Sequence, residues 1–178
     1  MAFQKILVAL DHSSPESEIV FQEAIKIAKR ERSHLILFHC VSWENQEKIN
    51  PLVGIGALGN VNLYETLQKC CKNTWTKEIE QVDRWLKTYW DRAKSQGISV
   101  EYQYQVGNPS ASICEQAHHW GADLIVIGRQ NRMKWSEFLW GSISGSVLNR
   151  ACCSVFVVQL GRSDIKKLSI SKAQPIYN

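Results

Sequence analysis

Residues 128–144 read GRQNRMKWSEFLWGSIS, and their types suit an anion. Gly128 follows an apolar run, and Gly141-Ser142 precedes a helix-like segment thirteen residues later. Backbone N–H groups at the start of a helix point outward, and the helix dipole favours negative charge there. Ser142 and Ser144 add hydroxyl donors, and Arg129, Arg132 and Lys134 bring positive charge to the same loop. An ordinary glycine turn with a serine cap uses the same residue types, so the pattern alone leaves both readings open. Asp11, at the end of the first apolar run, is a carboxylate able to accept from hydroxyl groups.

Other chemistry has less footing. Gly54-Ile55-Gly56-Ala57-Leu58-Gly59 spells G-x-G-x-x-G, but a dinucleotide site needs a strand immediately before it, and here the nearest apolar run ends near Val41. His12-Ser13-Ser14-Pro15-Glu16-Ser17 is Ser-rich like a flavin phosphate loop, yet helix capping accounts for Ser14 and Pro15. A phospho-receiver needs clustered acids and a late Lys, where this chain offers Asp11, Gly107-Asn108 and Gln159. His12, His34 and His39 have no ligand spacing, and His118-His119 diverge on a helix, so no metal site is expected. His39 reads as a hydrogen-bonded core histidine. No general base stands out, which argues against a fast ATPase. Cys40, Cys70, Cys71, Cys114, Cys152 and Cys153 form no Cys-x-x-Cys pair and read as small apolar residues of a reduced protein.

The elements that would position these residues alternate. Lys5–Leu10 is a strand with an unbroken apolar centre, as expected when both faces are buried. Ser14 and Pro15 then open a helix to about Glu31 that buries Ile19, Val20, Ala24, Ile27 and Ala28. A second strand covers His34–Val41. Residues 42–61, with Pro51, Gly54, Gly56 and Gly59, read as a long loop. From Asn62 to Lys94 there is neither Gly nor Pro, and Leu63, Leu67, Cys71, Trp75, Ile79, Val82, Leu86, Tyr89 and Ala93 recur every three or four residues, the face of a long amphipathic helix. The strand Ile98–Val106 alternates, with Glu101, Gln103 and Gln105 on a wet face, so it belongs near a sheet edge. A helix runs from the Gly107-Asn108-Pro109-Ser110 turn to Trp120, stopped by Gly121. Asp123–Ile127 is a buried strand closed by Gly128, Gly141-Ser142 opens a short helix to Arg150, and Cys153–Gln159 is the last strand. This β-α alternation argues for one parallel sheet with helices on both faces. Ligands of such sheets bind at the carboxyl ends of the strands, which directs attention to Asp11, Val41, Gly107 and the segment after Gly128.

The segments KILVALDHS (5–13), LFHCV (37–41), GNPSASI (107–113), ADLIVIG (122–128) and GSISGSVLNRACCSVFVV (141–158) resemble the universal stress protein family over residues 3–159. The resemblance implies a Rossmann-like, five-stranded parallel α/β domain of strand order 3-2-1-4-5. It implies an intracellular, cytoplasmic dimer linked to stress response, binding ATP (with or without Mg2+) with little or no turnover. In the ATP-binding branch the motif is Gly-x2-Gly-x9-Gly-[Ser/Thr]; this chain keeps the spacing as Gly128-x2-Asn131-x9-Gly141-Ser142, with Asn in place of the second Gly. By the resemblance, Asp11 serves the nucleoside, the Val41 backbone the adenine edge, and Gly128, Gly141, Ser142 and Ser144 the phosphates. Ala9, Leu10, Ile127, Gln130, Asn131 and Ile143 complete the expected nucleotide site. Asn131 leaves two other readings standing: an interaction module of the same fold without nucleotide, and a slow ATPase.

The 178 residues, 44% apolar and 21% charged, fit one globular domain. No apolar run approaches the ~20 residues of a membrane helix, and MAFQKILVALD lacks the pattern of a signal peptide. The net charge of +4 sits mostly in the tail, where Arg162, Lys166, Lys167 and Lys172 face only Asp164. The remainder is near neutral and gives no footing for a nucleic-acid surface. The expected organisation is one domain over 1–160 and a polar, basic tail over 161–178. Trp135 and Trp140 read as packing or partner contacts of the 129–140 loop. Ser154-Val155-Phe156-Val157-Val158 is apolar on both faces yet belongs at a sheet edge, so pairing with a second copy through Val155, Phe156, Val157 and Val158 is expected, alongside an unidentified downstream partner.

Overall fold

The computed structural model describes residues 2–42, 61–129 and 143–159, with side chains of the long helix described from Thr76 onward. Nine elements follow in order: β1 (Lys5–Ala9), α1 (Ser17–Glu31), β2 (His34–Ser42), α2 (Val61–Ser95), β3 (Ser99–Gly107), α3 (Pro109–Trp120), β4 (Leu124–Arg129), α4 (Ile143–Arg150) and β5 (Ser154–Gln159). All neighbouring strands are parallel, in the order β3-β2-β1-β4-β5. This is the expected 3-2-1-4-5 sheet.

The centre of the sheet explains its sequence. β1 pairs with β2 on one side and β4 on the other. Ile6, Leu7 and Val8 are wholly buried, because helices cover both faces. One face packs α1 and α2 against Ile6, Val8, Leu35, Leu37 and Val126. The other packs Ile113 and Ala117 of α3 and Val147 of α4 against Leu7, Ile36, Phe38 and Ile125. Alternate residues of each strand thus feed two cores.

The helices end where the chain chemistry stops them. Asn108 accepts the Ala111 N–H at 3.1 Å as N-cap of α3, with Pro109 in its first turn. Gly121 closes α3 at φ 70°. Arg32 closes α1 at φ 56° without being glycine, its N–H donating to the Ala28 carbonyl. The 35-residue α2 is about 50 Å long at 1.5 Å per residue, and its Val82, Leu86, Tyr89 and Ala93 are buried at the expected spacing. Glu18 of α1 accepts two hydrogen bonds from Arg92 of α2, at 2.8 and 2.6 Å. The Arg92 guanidinium lies over the rings of Phe21 and Tyr89. That cation holds the Glu18 carboxyl below its ordinary range, against the opposing effect of burial.

Several boundaries differ from the sequence reading. β1 ends at Ala9, one residue early, and β2 and β3 each run one residue further, to Ser42 and Gly107. β5 begins at Ser154. Ser14 does not cap α1: the Ser14 Oγ accepts from the Glu16 N–H in a local turn, and the helix starts at Ser17. Ser17 is captured by the preceding loop, which delays the first helical turn. The buried face of α1 is Ser17, Val20, Phe21, Ala24, Ile25 and Ala28, with Ile19 and Ile27 only partly covered. Gly128 does not close β4; it lies inside the strand opposite Val158, and Arg129 continues it.

Candidate functional site

The carboxyl ends of β1, β2 and β4 meet at one rim of the sheet. Ala9 pairs with Phe38 on one side and Ile127 on the other. Leu10 leaves β1 with its N–H donating to the Phe38 carbonyl at 2.9 Å, and Asp11 follows at the rim, half-buried.

Asp11 is aimed by its own loop. The Asp11 N–H donates to the Ser17 Oγ at 2.8 Å, and that hydroxyl donates back to the Asp11 carbonyl at 2.7 Å. The same carbonyl accepts the Ser14 N–H at 3.0 Å. The carboxylate Oδ1 accepts the Ser13 N–H at 2.9 Å and the Ser13 hydroxyl at 2.8 Å. Loop 11–17 is therefore a closed polar unit fixed to α1 by the buried Ser17, and it holds a carboxylate at the mouth of the central strand.

A second layer supports this rim from the side of α2. His39 is buried, and its Nδ1–H donates to the Leu10 carbonyl at 2.9 Å. That bond fixes the residue immediately before Asp11 and assigns the His39 tautomer. Burial pushes the His39 pKa down, opposed by the Leu10 carbonyl and the Asp11 charge. Trp85 of α2 packs edge-on against both His12 (5.1 Å between centroids) and His39 (5.6 Å), and Tyr89 extends the cluster. The expected core role of His39 holds. The participation of His12 and Trp85 has no sequence signal, because residues 12, 39 and 85 belong to a loop, a strand and a helix that only the fold brings together.

The β4 side supplies a different constraint. A Cβ on Gly128 would lie 2.9 Å from the Val20 Cγ2 of α1. The glycine is therefore required by the close approach of α1 to β4, whatever else lies at the rim. Val41 is buried near the end of β2, opposite Val106. In the first turn of α4, Ile143 is exposed and Ser144 buried.

The structure thus gathers Ala9, Leu10, Asp11, Val41, Ile127 and Gly128 at the carboxyl ends of β1, β2 and β4, while Ile143 and Ser144 open α4. Gln130, Asn131, Gly141 and Ser142 lie outside the described residues, as do the 43–60 segment, Trp135, Trp140 and the tail from Leu160. Among the described residues no group of three or more His, Cys, Asp or Glu is placed to hold a metal ion, and no helix is long and apolar enough to cross a membrane. Cys40, Cys114 and Cys153 are partly buried, as small apolar residues would be, whereas Cys152 is exposed. Burial raises the Cys153 thiol to about 11, away from thiolate chemistry.

A sequence model of the universal stress protein family matches residues 2–159. The chain belongs to the universal stress protein family. Universal stress protein Sll1388 of Synechocystis is 32% identical over 161 residues, covering 89% of this chain and 99% of that one. Universal stress protein MJ0531 of Methanocaldococcus jannaschii is 28% identical over 157 residues, covering 88% and 82%. Among solved structures, the hypothetical protein MJ0577 superposes with a TM-score of 0.69 at 19% identity, covering 91% of this chain and 99% of that one. A universal stress protein solved in complex with cAMP gives 0.61 at 22% identity, with 89% and 98% coverage. An Arabidopsis thaliana family member with AMP bound gives 0.58 at 13% identity, with 90% and 94% coverage. These structural likenesses extend the family's Rossmann-like fold to this chain.

Proposed function

We propose that this universal stress protein is a cytoplasmic adenine-nucleotide-binding regulator, with ATP as its ligand and little or no hydrolysis. The observation that carries the reading is Asp11, half-buried at the carboxyl end of the central strand, its carboxylate held by Ser13 and its backbone by Ser17. An acceptor held there suits ribose hydroxyls. The glycine and serine residues between 128 and 144 carry the donor types that phosphates take. Support also comes from the family members solved with cAMP and with AMP. Asp11, the Val41 backbone and Ile127 would hold the nucleoside, and Gly128, Gly141, Ser142 and Ser144 the phosphates, with any Mg2+ carried by the phosphates themselves.

Calorimetry with ATP, ADP and adenosine tests the reading. Ser142→Ala removes one donor to a charged acceptor and is expected to cost about 1.5–3 kcal/mol for ATP, at least tenfold in affinity, and little for adenosine. Asp11→Ala is expected to weaken ATP and adenosine alike. Asn131→Gly restores the branch motif and is expected to leave ATP affinity equal or higher if Asn only crowds the phosphates. A second reading, the nucleotide-free interaction module, rests on Asn131 standing where the motif has glycine. It prevails if neither the native protein nor Asn131→Gly binds ATP.

A further inference from the structure

At the amino ends of β2 and β3, opposite the nucleotide rim, three side chains from distant positions meet. His34 opens β2 and Ser99 opens β3, and the two are register partners. The His34 Nδ1 lies 2.5 Å from the Ser99 Oγ, and the His34 Nε2 lies 3.2 Å from the Glu101 Oε1. The same carboxylate oxygen accepts the Trp120 indole N–H at 2.7 Å. Trp120 also lies against the His34 ring, centroids 5.6 Å apart. The Lys5 Nζ donates to the Trp120 carbonyl and sits over its ring. Trp120 is thus held from both sides.

The hydrogen-bond chemistry fixes the direction of the chain. An ionised carboxylate only accepts, so the neutral imidazole carries its proton on Nε2 and donates it to Glu101. Nδ1 is then a bare lone pair, and the bond to Ser99 is donated by the serine hydroxyl. The order is nucleophile, base and orienting acid, with the orienting acid itself anchored by Trp120. This is the arrangement by which a serine hydroxyl is activated, independent of fold or sequence position. All three groups are reachable: Ser99 is exposed, and the His34 and Glu101 side chains are 38% and 50% exposed.

We propose that Ser99, His34 and Glu101 form a second, hydrolytic site that takes small activated acyl esters. Ser99 Oγ attacks the ester carbonyl carbon as its proton passes to His34 Nδ1, and solvent at this exposed surface meets the developing oxyanion. The C–O bond to the leaving group breaks, and the departing alkoxide takes the proton from His34. Water then adds to the acyl-Ser99 ester with His34 again as base, releasing the acid and restoring the hydroxyl. Ester and water are consumed, and acid and alcohol are formed. Glu101 and Trp120 are positioning residues. The site is open to solvent, so the expected turnover is slow, with His34 near the lower end of the ~10²–10⁴-fold range of general-base catalysis.

Two probes test this on the whole chain. A fluorophosphonate, which phosphonylates activated serines with loss of fluoride, is followed by intact mass and peptide mapping; p-nitrophenyl acetate reports turnover. The expected result is a single adduct on Ser99, absent in Ser99→Ala. Labelling should slow at least tenfold in His34→Gln. It should slow similarly in Glu101→Gln, whose amide oxygen can still accept from Nε2 and Trp120 but carries no charge to stabilise the imidazolium that forms, with melting temperature unchanged. Glu101→Asp should recover part of the rate. The proposal is overturned by no adduct, by adducts only on other residues, or by Ser99 labelling at the native rate in His34→Gln and Glu101→Gln. Adenosine affinity should be the same in all four variants, so this result stands or falls apart from the nucleotide reading.

Discussion

At the scale of single residues, the rim is organised by groups that neutralise one another's demands. His39 shows how. Its ring is buried, its N–H is spent on the Leu10 carbonyl, and burial outweighs the carbonyl and Asp11 in setting its pKa. An unfolded histidine titrates near 6.5, so below that pH the unfolded chain takes up a proton that the folded chain resists. Stability from His39 is therefore full above about pH 6.5 and falls as the pH drops through that value, by at most about 1.4 kcal/mol per pH unit. Urea titrations at pH 7.5 and 5.5 should show this loss. His39→Asn, which keeps a donor for the Leu10 carbonyl but cannot titrate, should flatten the difference. Asp11 was legible in the sequence because it ends an apolar run at a place where ligands collect. The clamps on it were not: Ser17 read as part of a helix, and its bond to the Asp11 backbone is a property of the turn.

At the scale of elements, the strands and helices followed from apolar runs and spacing, and the errors fall at boundaries where a side chain competes with the backbone. Ser17 is one case. Gly128 is another, since a glycine after an apolar run reads as punctuation. In the structure it continues the strand, paired with Val158, and the Val20 side chain of α1 lies where a Cβ would go. That gives a test of packing. Gly128→Ala should cost about 1–3 kcal/mol through overpacking against Val20. In Gly128→Ala/Val20→Ala the added methyl takes the space Val20 vacates, so the double variant should be more stable than the two single losses summed would allow. Denaturant midpoints of the four proteins complete the cycle. Additivity within 0.5 kcal/mol would mean that the glycine serves the rim and not the helix contact. The His34-Ser99-Glu101 group escaped the sequence reading for a related reason. Residues 34 and 99 become neighbours only through the register of β2 against β3, and no local pattern carries that register.

At the scale of the whole molecule, the sheet ends in two unlike edges. β3 has α2 and Trp90 beside it. β5 presents Phe156, 40% exposed, between the partly buried Val155 and Val157. An apolar edge of this kind pairs or aggregates, and an antiparallel meeting of two β5 strands closes a two-fold dimer. Sedimentation at micromolar concentration should give the mass of two chains, and Phe156→Lys should shift the protein toward one. A native mass of one chain would rule out this pairing through β5.

The order of the strands also has a history written into it. The chain starts at the middle of its sheet, builds outward through β2 to β3, and returns across β1 to lay down β4 only at Leu124. While the protein is being made, β1 therefore waits with one side paired and the other bare from the end of β2 at Ser42 until β4 begins at Leu124. That waiting edge runs along Ile6, Leu7 and Val8, each wholly buried in the finished fold. A nascent chain halted before residue 124 should bind holding chaperones through this segment, and one extended past β4 should release them. A stretch sealed off in the mature protein is thus one in need of protection at birth.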